Sequence, residues 1–461
     1  MATRTTTDAA RWMDGRVVRG DASTLWTGGA LDSRLVEGGE LFFAIPGETT
    51  DGHRFVGDAL DGGAAAAVIH REVDAPGDAP LVRVEDTSEG LRALARGLRE
   101  EIPEHLLALT GSVGKTTTKE ILARLLSRRF RVAKSPGNLN TLYGFPLALM
   151  GIPEDTQWMV AEMGMSTAGE LGALSRLGRP DLALLLNVRP VHLESLATLE
   201  AVAEAKAEIL EGLSQQGTLV ANFGDPRVRE IAGDHSGTTI SFGMDTQDTD
   251  YEAREVEARD GGGSWFRLRT PDGEIEIELP LHGLYNAENF LAAAACAHHL
   301  GVPRDELAVG ALDLVTCSGR GEVHSLPGGI HVVDDSYNSN PVALERALDS
   351  ARLLPGERHL AVLGEMLELG ADGPRFHREA GVAAASRGFS PVVGVGELAR
   401  YLVEAAKEAG ADARWAADAR EAAAWVSARI APGDAILVKG SRGVGLEAVV
   451  DSILTRTREA E

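Results

Sequence analysis

The hexapeptide Gly111-Ser112-Val113-Gly114-Lys115-Thr116 stands between an unbroken apolar run at 106–110, LLALT, and the segment TTKEILARLLSRRF. The second segment has apolar residues at three- and four-residue spacing, so the order is buried strand, tight turn, helix. Few folds accommodate that order with so many small residues in the turn. Backbone N–H groups in such a loop, with the N-terminus of the helix behind them, cradle phosphate oxygens. Lys115 is placed to neutralise β- and γ-phosphate charge, and Thr116 offers a hydroxyl to Mg²⁺. The loop is a shortened form of the usual phosphate-binding turn: its leading glycine would fall at Leu109. The bland alternative is a glycine-rich turn with a chance lysine.

The strand–helix rhythm recurs. WMVAEMG at 158–164 and DLALLLNV at 181–188 are apolar without alternation, as expected of parallel strands covered on both faces. From 250 to 281 the pattern alternates, which predicts hairpins at an antiparallel margin. Residues 1–85, rich in Gly and Asp, read as a small α/β unit. From 318 onward, strand–helix pairs imply a doubly wound, Rossmann-like sheet. The expected fold class is therefore α/β in three domains: 1–85, a central domain carrying the phosphate loop on a mainly parallel sheet over 86–317, and 318–461.

Charge narrows the partners. The chain has 45 Lys+Arg against 69 Asp+Glu, a net charge of −24. Nucleic-acid surfaces carry basic stripes, so no nucleic-acid partner is expected. Any phosphate site must gather positive charge locally. Of six lysines, Lys115, Lys119, Lys134, Lys206 and Lys439 fall in or beside motifs, and Lys407 does not. No run approaches the ~18 apolar residues of a membrane helix, so no membrane insertion is expected. Two cysteines, Cys296 and Cys317, rule out a disulfide framework. With no signal-peptide pattern at the N-terminus, a reducing cytoplasm is the expected compartment.

Ligands of open α/β sheets gather outside the carboxyl ends of the strands. Glu162 ends one strand and His192 follows another, so both are expected beside the phosphate loop, each able to hold Mg²⁺. Lys206, in EAVAEAKAEIL, reads on spacing alone as a solvated lysine paired with glutamates. Asn286 in HGLYNAEN is a natural helix N-cap, with Asn289 one turn on. Arg320, in SGR, lies at a domain junction, where a guanidinium can clamp phosphate. Asp334 and Asp335 end a strand and point to opposite faces, so one reaches a ligand and the other caps the turn. VKGSR, with Lys439 and Arg442, ends the last long strand and is a second anion-binding candidate.

Taken in order, TGSVGKTTTKE, EMG, NVRPVHLE…AK, HGLYNAEN, SGR, DDSYNSNP, VLGEMLELG and VKGSR resemble the Mur ligases of peptidoglycan synthesis. The resemblance covers nearly the whole chain, including LDSR…GELFFAIPGETTDGHRF near the start. GSVGKTTTKE, DDSYNSNP and LGEMLELG are most similar to the branch that adds D-alanyl-D-alanine. The resemblance implies an N-terminal domain for the UDP-sugar, a central ATPase and a mobile C-terminal domain. It also implies ATP-dependent, ADP-forming amide synthesis through an acyl phosphate. The partners it implies are UDP-MurNAc-tripeptide and D-Ala-D-Ala, and a monomer is expected.

Carried over by position, Gly111, Ser112, Val113, Gly114, Lys115, Thr116, Thr117, Asn289, Arg320 and Asp334 would contact ATP. Thr116, Glu162, His192 and Lys206 would hold Mg²⁺, Lys206 as a carbamate. Lys115, Lys206, His192 and Arg320 would form the catalytic set. Asp32, Ser33, Arg34, Asn138, Asn140, Asp335, Asn338, Asn340 and Lys439 would contact the substrates. One departure stands out: in Asn138-Leu-Asn140-Thr141-Leu-Tyr-Gly144-Phe-Pro146, Thr141 replaces the family's asparagine. Two other readings remain open: a sister amide ligase, and a phosphate-loop regulator or transporter that hydrolyses ATP without joining anything. The second would need neither a nucleotide-sugar domain nor a strand-end Asp/Asn cluster.

Overall fold

The computed structural model describes residues 4–47, 49–259 and 262–459. Glu48, within the N-terminal segment quoted above, lies outside the described residues. Among those described, the strands form three sheets of five, nine and six strands.

The N-terminal sheet has the order Arg16–Arg19, Leu81–Arg83, Ala66–Ile69, Glu40–Phe43, Gly28–Ala30. All neighbours are parallel except the first pair. It docks on the central domain. Met150, at the end of the helix Gly144–Met150, belongs to the N-terminal core with Trp26, Leu41 and Phe43. Gly29 is required at that contact, because a Cβ there would lie 2.7 Å from the Met150 sulfur.

In the central sheet, His105–Thr110 runs between Leu182–Leu185 on one side and Trp158–Glu162 on the other, all parallel. The chain order reverses about that strand, so the loops at its carboxyl end part and leave a crevice. Leu107 and Leu109 enter one core with the helices Lys115–Leu126 and Tyr285–His299. Leu106 and Ala108 enter the other with Phe145 and Leu174. The alternating segments form the expected antiparallel margin: Tyr251–Ala258, Ser264–Thr270 and Gly273–Leu279 pair as a meander.

In the C-terminal sheet, Ile330–Asp335, Asp434–Lys439, Arg358–Gly364, Val392–Val395 and Ala413–Ala416 run parallel, with Glu322–Leu326 added antiparallel at the edge. Its carboxyl ends face those of the central sheet. Polar contacts cross between the domains: Arg346 donates to Glu288 at 3.0 Å, His192 Nδ1 lies 2.6 Å from Glu368 Oε2, and the Glu194 N–H donates to the Glu368 carbonyl at 3.4 Å.

Candidate active site

The helix Lys115–Leu126 starts at the lysine of the loop, with Gly114 as its N-cap at φ +84°. No other residue fits there. The φ is left-handed, and a Cβ would meet Asn289 Oδ1 at 2.3 Å. The loop is pinned from the next strand. Asn187 Oδ1 accepts from the N–H groups of Ser112 (3.1 Å) and Val113 (3.0 Å), and its Nδ2 donates to the Val113 carbonyl (3.1 Å). Asn187→Ala is expected to orphan the buried Val113 N–H, at a cost of about 1–3 kcal/mol. Denaturant titration should show a less stable protein, and the KM for ATP should rise. Unchanged values of both would mean the loop holds itself.

Lys115 Nζ folds onto the carbonyls of Gly111 (2.8 Å) and Ser112 (3.4 Å). Its ammonium sits deep among protein atoms although the residue keeps some exposed surface. That desolvation lowers its pKa; Glu162 opposes the shift and the Arg320 charge adds to it. Thr116 Oγ1 donates to Glu162 Oε2 at 2.9 Å, and Asn140 Nδ2 donates to Glu162 Oε1, also at 2.9 Å. Lys119, fully buried, donates to the carbonyls of Ser135 (2.8 Å) and Gly137 (3.1 Å), 3.8 Å from Glu162. A hydroxyl and a buried carboxylate side by side form a hard oxygen set, which suits Mg²⁺.

These groups open into one cavity of about 610 Å³, within the range of small-ligand sites. The central domain supplies Ser112, Val113, Gly114, Lys115, Thr116 and Thr117, then Asn138, Asn140, Glu162, His192 and Asn289. From the other side come Arg320, Asp335, Asn338, Asn340 and Lys439. Several candidates differ from expectation or lie elsewhere. Asp334 does not line the cavity: it accepts from Ser336 N and Oγ and lies beside Glu322 and His324 on the other face of the sheet. The strand's alternation sends only Asp335 inward. Asp32, Ser33 and Arg34 form a capped turn in the N-terminal domain, outside the cavity wall. The Arg34 guanidinium bonds Asp32 and holds that carboxyl at about 2.

Lys206 corrects the reading made on spacing. It is 2 % exposed on the helix Leu199–Ala207, and among the described residues no carboxylate lies within ion-pair distance of its Nζ. Burial, then the charge of Lys115, pushes its pKa well down. Asn286 is not the N-cap: the helix Tyr285–His299 begins one residue earlier. Asn286 donates instead to the His282 carbonyl (2.7 Å) and accepts from Asn289 (2.9 Å), which orients Asn289 at the loop. Lys439 is not a free cation, since it pairs with Asp335 at 2.6 Å and donates to the Asn338 carbonyl. The sequence assigns no role to Asn187, Glu368 or Tyr337, although NVRPVHLE, VLGEMLELG and DDSYNSNP contain them, and Arg442 stands in the anion-binding candidate VKGSR behind Lys439.

Residues 109–297 match the Mur ligase middle domain, 319–442 the Mur ligase glutamate ligase domain, and 27–99 the Mur ligase family catalytic domain. The UDP-N-acetylmuramoyl-tripeptide–D-alanyl-D-alanine ligase of Bacillus subtilis (strain 168) is 32 % identical over 98 % of this chain and 99 % of its own. The chain belongs to the Mur ligase family. The Escherichia coli (strain K12) relative of the same name is 34 % identical over 92 % of each chain. Among solved Mur ligases, MurF from Acinetobacter baumannii superposes with a TM-score of 0.87 at 28 % identity, covering 98 % of both chains. MurF from Thermotoga maritima in complex with ADP gives 0.81 at 29 % identity, covering 94 % of this chain and 99 % of that one. The three-domain α/β architecture expected of a Mur ligase is thus the one this chain has.

Proposed function

We propose that this Mur ligase adds D-alanyl-D-alanine to UDP-N-acetylmuramoyl-tripeptide, with conversion of ATP to ADP and phosphate, to make the pentapeptide precursor of peptidoglycan. The observation that carries the reading is the shared cavity. In it a phosphate loop on one domain faces a strand-end Asp/Asn/Arg cluster on another, and like-named relatives match along nearly the whole length. A nucleotide hydrolase with no second substrate would have no use for that facing wall.

Each residue has a task in this reading. The loop N–H groups and Lys115 hold the β- and γ-phosphates, and Arg320 approaches from the domain junction. Asn289, fixed by Asn286, borders the nucleotide. Thr116 and Glu162 fit a first Mg²⁺, and His192 with a carbamylated Lys206 fits a second; the metal would offset the repulsion between two anions that must meet. Lys206 suits the carbamate because its buried amine is held away from protonation, and the modification would turn a neutral amine into an oxygen anion. The tripeptide carboxylate attacks the γ-phosphorus and ADP leaves. The neutral dipeptide amine then attacks the acyl carbon, and orthophosphate departs with the former carboxylate oxygen. Residues 1–85, with Asp32, Ser33 and Arg34, hold the UDP end, 86–317 the ATP, and 318–461 the dipeptide through Asp335, Asn338 and Asn340. Asn138 and Asn140 border the tripeptide.

The test is a coupled ADP assay with Mg²⁺. ADP release is expected only when both UDP-MurNAc-tripeptide and D-Ala-D-Ala are present. Equal release without the tripeptide would show a simple hydrolase and end this reading.

A further inference from the structure

Resting on that reading, we propose that Arg442 anchors the terminal carboxylate of the incoming dipeptide and that Tyr337 is the positioning residue that holds its guanidinium in place. The dipeptide brings one amine and one carboxylate. The amine must face the acyl carbon near Lys115 and Glu162, so the carboxylate points away from the phosphate loop and needs a cation there.

Lys439, the cation most visible in the sequence, is spent. The parallel register places it directly opposite Asp335, and the two form a 2.6 Å ion pair. Three residues on, Arg442 lines the same cavity from the turn Arg442–Val444. Its guanidinium carbon lies 4.9 Å from the centre of the Tyr337 ring, and that of Arg320 lies 4.1 Å from the same ring. Among the described residues, neither guanidinium has a carboxylate within 4.0 Å. In a chain with 69 acidic against 45 basic residues, most such groups find one. Two unpaired guanidiniums against one aromatic ring, all three side chains lining the cavity, make a preformed anion site.

The two divide naturally. Arg320 also borders a second cavity with Thr117 and Glu120 of the phosphate-loop helix, which places it at the phosphates. Arg442 stands on the C-terminal domain against Tyr337, the chain neighbour of Asn338, where the dipeptide enters. A planar fork matches a carboxylate with two parallel hydrogen bonds, and the cation–π contact with Tyr337 would restrain that fork before the ligand arrives. Arg442 is exposed and Tyr337 half-buried, so changing either leaves the core alone.

The experiment compares D-Ala-D-Ala with its C-terminal amide, in which the carboxylate is replaced, on the full-length enzyme. In the wild type, kcat/KM for the amide is expected to fall about 10- to 100-fold. Arg442→Ala should lose about the same factor with D-Ala-D-Ala and nearly nothing further with the amide, the signature of a coupled pair. Its KM for ATP should stay within about twofold. Tyr337→Leu should raise the dipeptide KM with little change in kcat, and Tyr337→Phe should restore it, since stacking needs only the ring. Equal discrimination against the amide in wild type and Arg442→Ala would overturn the assignment. A raised KM for ATP instead would show that Arg442 binds phosphate, and would overturn it too. Wild-type enzyme that releases ADP without D-Ala-D-Ala would sink the ligase reading itself, a distinct result.

Discussion

Lys115→Ala is expected to reduce the ligase turnover by about three orders of magnitude. Asn187 holds the Ser112 and Val113 N–H groups independently of the lysine, so these keep their places in the variant. The nucleotide therefore retains most of its binding contacts. What disappears is the buried ammonium at the Gly111 and Ser112 carbonyls, the group placed to meet charge that builds up as the γ-phosphoryl moves. A kcat that collapses while ADP affinity, measured by calorimetry, falls less than tenfold would fit this division. A turnover loss under tenfold would remove Lys115 from the chemical step.

Lys206→Ala is expected to cost on the order of a hundredfold in turnover, with part of it restored by acetate or formate. An uncharged amine in that buried place contributes little, and a protonated one is opposed by burial and by Lys115. A carbamate supplies what the place lacks, an oxygen anion, and a small free carboxylate can stand in for it. Wild-type protein exposed to isotopically labelled carbon dioxide should show a carbamate carbon resonance that Lys206→Ala lacks. Full activity in the variant, or no resonance in the wild type, would return Lys206 to a structural role.

What the sequence discloses about this molecule follows distance along the chain. The phosphate loop is legible because all its parts are neighbours: strand, glycines, lysine and helix lie within 106–126, and the helix starts at the lysine itself. The antiparallel margin is legible from its alternation. Lys206 is misjudged on spacing because glutamates at helical intervals say nothing about which face is buried. Lys439 attracts notice as a lysine after a strand, but its neutralisation comes from a residue 104 positions away, set by parallel register. Arg442 shows in the sequence only as the end of VKGSR, and its significance lies in what it fails to pair with. The contact between His192 and Glu368 spans 176 positions and needs both residues in left-handed backbone, which no local pattern announces.

One turn of the helix Tyr285–His299 touches the phosphate loop and the C-terminal domain at once. Asn289 fills the space above Gly114, and Glu288, braced by Asn222 at 2.8 Å, holds Arg346 of the C-terminal domain. A nucleotide that nudges the phosphate loop must nudge this turn, and the turn carries the displacement to the neighbouring domain through an ionic grip. Salt should slacken that grip before it disturbs the pocket, so cooperation between nucleotide and dipeptide ought to fade with ionic strength while nucleotide affinity endures.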